Sequence, residues 1–269
     1  MKIALGVFDG VHLGHQKVIE RAHRVFTFHP HPNRGIHLLT TLRERKELIN
    51  NLEIVKFGPK IGSLTPEEFV RDFLVKRYRP EVVCVGEDYA FGYNRRGNVS
   101  FLRKLGKKYN YQVEIIPEVD IKGKPIRSSR IRRLLGERRI EEAAVLLGRD
   151  YQLSGKVVHR QGLGRKLGFP TANIKVDKNK LIPGTGVYSG KVIVANKLYP
   201  CAISIGEQKT FGGHNIEIEV YILNFKHNIY RKRITVFFEK FIRHQKKFSS
   251  AGQLVAQIKK DILKIASKS

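Results

Sequence analysis

The chain has 269 residues, 41% of them hydrophobic, enough for one large or two ordinary domains with a real core. Its 51 Lys and Arg stand against 24 Asp and Glu, a formal charge of +27, which favours anionic partners without choosing among nucleotides, nucleic acid and acidic surfaces. No stretch approaches the roughly 18 apolar residues of a membrane span, and the first residues run straight into a strand pattern, leaving no room for a cleavable leader. Cys84 and Cys201 sit in apolar runs without metal-ligand spacing and read as buried thiols of a reducing cytoplasm.

The apolar run 3–5 reads as a short buried strand, and 16–21 has good helix formers. Between them stands Gly6-Val7-Phe8-Asp9-Gly10-Val11-His12-Leu13-Gly14-His15. A glycine-rich turn between a strand and a helix lets backbone N–H groups approach a phosphate. His12 and His15, three apart, share a face at the helix start and suit stabilisation of charge developing in nucleotidyl transfer. Solvated surface histidines are the plainer alternative.

Further along, β-branched runs at 25–28, 54–57, 82–85 and 113–116 alternate with helical spacing at 42–52, 66–76 and 99–108. Thr65 before Pro66, Glu67 and Glu68 has the pattern of an N-cap. This alternation predicts an open parallel α/β sheet, with ligands at the carboxyl ends of its strands. Thr27-Phe28-His29-Pro30-His31-Pro32 follows one strand; it suits a flat polar ligand or a stiff surface loop. Gly86 to Gly92 follows another, where Asp88 could bond a ribose or simply face water. Ser128 and Ser129, set among Arg127, Arg130 and Arg132 at a helix start, form either a triphosphate clamp or an ordinary cap.

Short helices at 131–135 and 140–147 lead to Gly148, and the pattern then changes. Strand-like runs at 151–159, 186–195, 199–205, 216–225 and 233–238, split by Gly and Pro, predict an antiparallel barrel or sandwich, with a terminal helix over 251–264. The boundary is placed at 148, giving domains 1–148 and 149–269. In the second, Gly162, Gly164 and Arg165 can wrap phosphate oxygens. Thr171 and Asn173 point to one side of an extended segment and offer oxygen ligands to a magnesium ion. Glu217 and Glu219 share a strand face, and either could be a general base or an ion-pair partner of the abundant Lys and Arg.

Together these segments resemble the bacterial bifunctional riboflavin kinase/FAD synthetase family, almost from end to end. The matching elements in the second half include Gly186-Val187-Tyr188, the run Glu219 to Phe225, Ile229-Tyr230 and the stretch from Arg243 to Phe248. The resemblance implies a Rossmann-like nucleotidyltransferase domain followed by an antiparallel riboflavin kinase barrel with a C-terminal helix. The first would join FMN to the AMP part of ATP, releasing pyrophosphate; the second would phosphorylate riboflavin with ATP and Mg2+. By the same resemblance Gly6, Phe8, Asp9, Gly10, Asp88, Ser128, Ser129 and Arg132 serve the nucleotide with His12 and His15. Phe28, His29, Pro30, His31, Phe91 and Arg243 serve flavin, Thr171 and Asn173 hold the metal, and Glu219 is the kinase base.

The implied partners are small molecules, with no membrane and no specific nucleic acid, in a cytoplasmic monomer or weak homo-oligomer. Departures from the family pattern are Arg127 at a usual serine, Arg160 and Arg231 at usual glycines, Lys209 at a usual proline and Tyr221 at a common histidine. Only eleven residues separate His15 from Thr27, so the first helix must be short. A chain with one surviving activity and a basic nucleic-acid-binding protein are the rival readings.

Overall fold

A computed structural model describes residues 1–159, 164, 167–210 and 213–266. It divides into two compact units, Met1–Arg130 and Ile131–Ser269.

The first unit is built on β1 (Lys2–Gly6), whose side chains alternate between two cores. Ile3 and Leu5 join an aromatic-rich cluster with Phe26, Phe28, Phe69 and Phe73, while Ala4 packs with Val18, Val25 and Cys84. A sheet covered on both faces needs this continuous apolar character, and parallel sheets are the usual result. Four more strands, β2 (Arg24–His29), β3 (Leu52–Lys56), β4 (Val82–Gly86) and β5 (Gln112–Ile116), lie parallel in the order β3-β2-β1-β4-β5. Strand order reverses between β1 and β4, so their carboxyl ends border the crevice where such sheets take ligands.

The short connection after His15 is accommodated simply. α1 (Leu13–Ile19) has seven residues, and β2 begins at Arg24. The register still sets Gly6 beside Thr27, bringing the 27–32 loop to the same end of the sheet as the glycine turn. α2 (Leu42–Leu48) opens with a capping box, in which the Thr41 hydroxyl accepts from the Glu44 N–H and the Glu44 carboxylate accepts from the Thr41 N–H. Thr65 is the N-cap its sequence predicts, with Pro66 in the first turn, and with Glu68 it forms the same capping box. That helix, α3 (66–78), has a π-helical middle at Phe69–Val75, which turns Phe69, Val70, Phe73 and Leu74 into the core. α4 (Val99–Tyr109) buries Leu102 and Leu105 and ends on left-handed Asn110.

α5 (Ser128–Gly136) and α6 (Ile140–Leu147) follow, and the division between the compact units falls within α5. In the second unit α6 packs on β6 and β11. Here β6 (Tyr151–Val158), β7 (Thr171–Val176), β8 (Gly186–Val194), β9 (Lys197–Thr210), β10 (Gly213–Ile222) and β11 (Arg233–Arg243) close a barrel in the order β10-β7-β6-β11-β8-β9. Every pairing is antiparallel. α7 (Ala251–Ala266) ends the described chain. Both cysteines are buried and free, and burial raises each thiol above its usual range, Cys84 to about 11.

Candidate functional site

The chain leaves β1 through backbone that side chains rarely adopt: Phe8 has φ 51°, Gly10 φ 93° and Val11 φ 43°. Such conformations persist only where the surroundings enforce them. Gly6 is required because the Phe8 ring folds back to 2.7 Å from where a Cβ would stand. Asp9, buried, accepts from the N–H groups of Leu39 and Thr40 at 3.1 and 3.0 Å, and Gly10 N–H donates to the Thr40 hydroxyl at 2.8 Å. The Asp9 carboxylate is therefore spent on holding the 38–41 segment against the turn.

His12 caps α1: its Nδ1 accepts from the His15 N–H at 3.3 Å. A neutral ring accepting at Nδ1 carries its proton on Nε2, which is then a donor. The His12 and His15 rings stack with centroids 3.6 Å apart, and the Phe8 ring stands edge-on to His15 at 5.4 Å. Both histidines line a cavity of about 310 Å³ with Phe8, Asp88, Ser128 and Ser129. Ser128 Oγ donates to the Asp9 carbonyl at 2.8 Å, tying the start of α5 to the turn. Three segments remote in sequence thus meet at the sheet's switch point.

Other expected members stand elsewhere. Phe28 and Phe91 are buried in the aromatic core with Phe69 and do not line this cavity. His29 ends β2, Pro30 and His31 follow it across a cis His29–Pro30 bond, and His31 Nδ1 accepts from the Asn33 N–H at 3.0 Å. Arg127 and Arg130, beside the serines, are held by neighbours. Arg127 pairs with Glu118 at 2.8 Å, and Arg130 donates to the Lys124 and Pro125 carbonyls at 2.8 and 3.3 Å. Arg132 falls in the second unit.

In the barrel, pairing of β7 with β10 sets Asn173 opposite Glu219 and Thr171 opposite Tyr221. Thr171, Asn173, Glu217 and Glu219 all line a cavity of about 450 Å³, together with Gly164 and Arg243. The Thr171 hydroxyl donates to Glu219 Oε1 at 3.4 Å, and Asn173 also bonds this carboxylate. Burial raises the Glu219 pKa first, and the like charge of Glu217 adds to it; the bonds from Asn173 and Thr171 work against both. Glu217, for which a surface ion pair was one reading, thus shares the cavity with Glu219. Gly162 and Arg165, and the departure at Arg160, lie outside the described residues.

Sequence reasoning named Arg243 for this pocket but missed the residues that hold it, Asp261 and Gln257. Arg243 donates from Nε and NH2 to Asp261 Oδ2, each at 2.8 Å, and Gln257 donates to Asp261 Oδ1 at 2.8 Å. Asp261, the one acid in α7, was the available signal.

Two family models match the chain: FAD synthetase over residues 1–130 and riboflavin kinase over residues 147–268. Curated relatives are named bifunctional riboflavin kinase/FMN adenylyltransferase. That of Buchnera aphidicola from Schizaphis graminum is 36% identical, covering 97% of this chain and 91% of its own. The Bacillus subtilis protein is 36% identical, covering 96% and 89%, and the Escherichia coli K12 protein 31%, covering 97% and 90%. A crystal structure described as a macrolide-efflux protein from Streptococcus pneumoniae superposes with a TM-score of 0.88 at 30% identity, covering 98% of this chain and 93% of that one. Among the described residues no helix is long and apolar enough to cross a membrane. With both family models in this order and relatives aligned over nearly their whole length, the chain belongs to the bifunctional riboflavin kinase/FMN adenylyltransferase family.

Proposed function

We propose that the chain makes FAD from riboflavin in two ATP-dependent steps, one in each unit. In the barrel, the riboflavin 5′-hydroxyl attacks the γ-phosphate of ATP, giving FMN and ADP. In the α/β unit, an FMN phosphate oxygen attacks the α-phosphate of ATP, giving FAD and pyrophosphate. The observation that carries this reading is the stacked His12–His15 pair at the head of α1, in one cavity with Ser128 and Ser129. Two imidazole donors and a helix N-terminus suit negative charge growing on a phosphoryl group.

For the kinase step, Glu219 is assigned as the base that accepts the hydroxyl proton. Its carboxylate lies in the cavity, is held by Thr171 and Asn173, and has a raised affinity for a proton. Thr171 and Asn173 would also hold Mg2+, whose taste for oxygen ligands fits a hydroxyl, an amide oxygen and a neighbouring carboxylate. When bound, the ion would neutralise phosphate charge as the γ-phosphoryl group moves. Asp88 is assigned to nucleotide placement, and Arg243 to the flavin side of the barrel cavity. Roles for Gly6, Phe8, Gly10 and Arg132 toward nucleotide, and for Phe28 to His31 and Phe91 toward flavin, rest on the family resemblance. We place the divide between the two catalytic domains at 148, so that α5 continues the serine segment of the first site. The setting is cytoplasmic and the ligands are small molecules.

The test is incubation with riboflavin, ATP and Mg2+, with riboflavin, FMN and FAD separated by chromatography. Sequential appearance of FMN and then FAD is expected. FMN alone, or FAD only from supplied FMN, would leave a single activity.

A further inference from the structure

Beneath the glycine turn, α2 contributes an arginine with no exposed surface, Arg45. Its NH1 donates to the Val7 carbonyl at 2.8 Å and to the Thr27 hydroxyl at 2.9 Å. The same hydroxyl donates to the Val7 carbonyl at 2.7 Å. One guanidinium nitrogen therefore joins the ends of β1 and β2 at the residue just before the left-handed Phe8. Among the described residues, Nε and NH2 have no hydrogen-bond partner, though both are buried.

A buried cation placed only to satisfy one carbonyl is an expensive choice, since desolvating a guanidinium costs several kcal/mol. Its neighbours explain the charge. Burial lowers the Arg45 pKa, and the charges of Asp9 and Glu44 act against that loss. Both carboxylates are themselves buried, Asp9 inside the turn and Glu44 in the α2 cap. Without Arg45 they would leave uncompensated negative charge under a crevice that receives a nucleoside triphosphate.

We propose that Arg45 is a positioning residue for adenylyl transfer: it fixes the Val7 carbonyl, and with it the turn that carries Phe8 to His12, and it offsets the buried carboxylates below the phosphate site. This rests on the adenylyltransferase reading of the first unit. The two roles separate by substitution. Arg45→Met removes both, Arg45→Lys restores charge but not the planar fork, and Thr27→Val keeps the charge while removing the shared hydroxyl.

The experiment measures FAD formation from FMN at varied ATP and varied FMN in the full-length protein, with FMN formation from riboflavin as the internal reference. For Arg45→Met, kcat for FAD formation should fall at least about tenfold and KM for ATP should rise severalfold, with KM for FMN and the kinase rate within about twofold. Arg45→Lys should return KM for ATP toward normal with kcat partly recovered. Thr27→Val should lower kcat severalfold at unchanged KM for ATP. An Arg45→Met protein with normal kcat and KM overturns the inference. So does a loss of kcat that follows the unfolded fraction, leaves both KM values unchanged and is not relieved by lysine. An unsubstituted protein that makes FMN but no FAD overturns the adenylyltransferase reading and this inference with it.

Discussion

The Thr171 hydroxyl and the Glu219 carboxylate, on paired strands β7 and β10, meet at 3.4 Å inside the barrel cavity. The contact keeps the carboxylate turned inward while burial raises its pKa. Glu219→Gln preserves size and polarity but cannot take a proton. FMN formation from riboflavin should fall by about 10²–10⁴-fold, with riboflavin binding largely kept and FAD formation from supplied FMN unchanged. A mild mutant would remove Glu219 from the role of base.

The neighbouring acid has a different signature. Glu219 must be ionised to accept a proton, so kinase kcat/KM should rise with pH through its elevated pKa. Glu217 contributes to that elevation by like-charge repulsion. Glu217→Gln should therefore shift the acidic limb of the profile to lower pH, with only a small change on the plateau. A limb moved to higher pH, or a collapse of the plateau, would assign Glu217 a direct part.

In the first unit, His12→Ala or His15→Ala should lower FAD formation from FMN by about 10²–10³-fold, as expected for loss of one donor to developing charge. FMN formation should stay near normal. His12→Ala also deprives the His15 N–H of its capping acceptor, so thermal unfolding of the first unit should be checked beside the kinetics. Equal loss of both activities in a folded protein would contradict the assignment of one step to each unit.

Asp261→Asn tests the Arg243–Asp261 pair that lines the barrel cavity. The Arg243–Asp261 pair is largely buried, with side-chain exposures of 15% and 5%. Removing one partner strands the guanidinium and should cost about 3–5 kcal/mol of stability in the second unit. Because Arg243 and Asp261 both line the cavity, KM for riboflavin should rise as well. Thermal unfolding and kinase kinetics read the two effects; unchanged values of both would show the pair to be incidental.

The excess of basic residues predicts weak, sequence-independent association with RNA or DNA. Fluorescence anisotropy across a salt series should show a steep slope and little binding at physiological ionic strength. Tight binding that persists there would give nucleic acid a place in this protein's function.

Much of this architecture is legible because burial leaves periodic traces. The apolar runs at β1, β2 and β4, and the Thr65-Pro66 helix start, lie where pattern places them. His12 hid its capping role because caps are read from Ser, Thr, Asp and Asn, and so α1 begins at Leu13 rather than near Gln16. Thr171–Val176 was read only as an extended segment, although Thr171, Asn173 and Lys175 alternate with Ala172, Ile174 and Val176 in the pattern of a half-buried strand. Arg45 and Glu44 were invisible, since charged residues in a short helix read as a solvated face until tertiary packing buries them. Asp9 sits in the nucleotide motif, yet its carboxylate turns to the Leu39 and Thr40 backbone, a direction that spacing does not encode.

Closure of the barrel decides how copies of this chain could share backbone. A closed ring of six strands has no edge strand among the described residues, which disfavours sheet extension in the second unit. Among the described strands, the edge strands are β3 and β5, at the ends of the parallel sheet. Both have five residues, and both carry ion-paired acids: Glu53 with Arg24, and Glu114 with Lys2 and Arg21. Short, charged margins resist strand addition. Strand addition between copies is therefore disfavoured, which leaves side chains and loops to carry any contact between them.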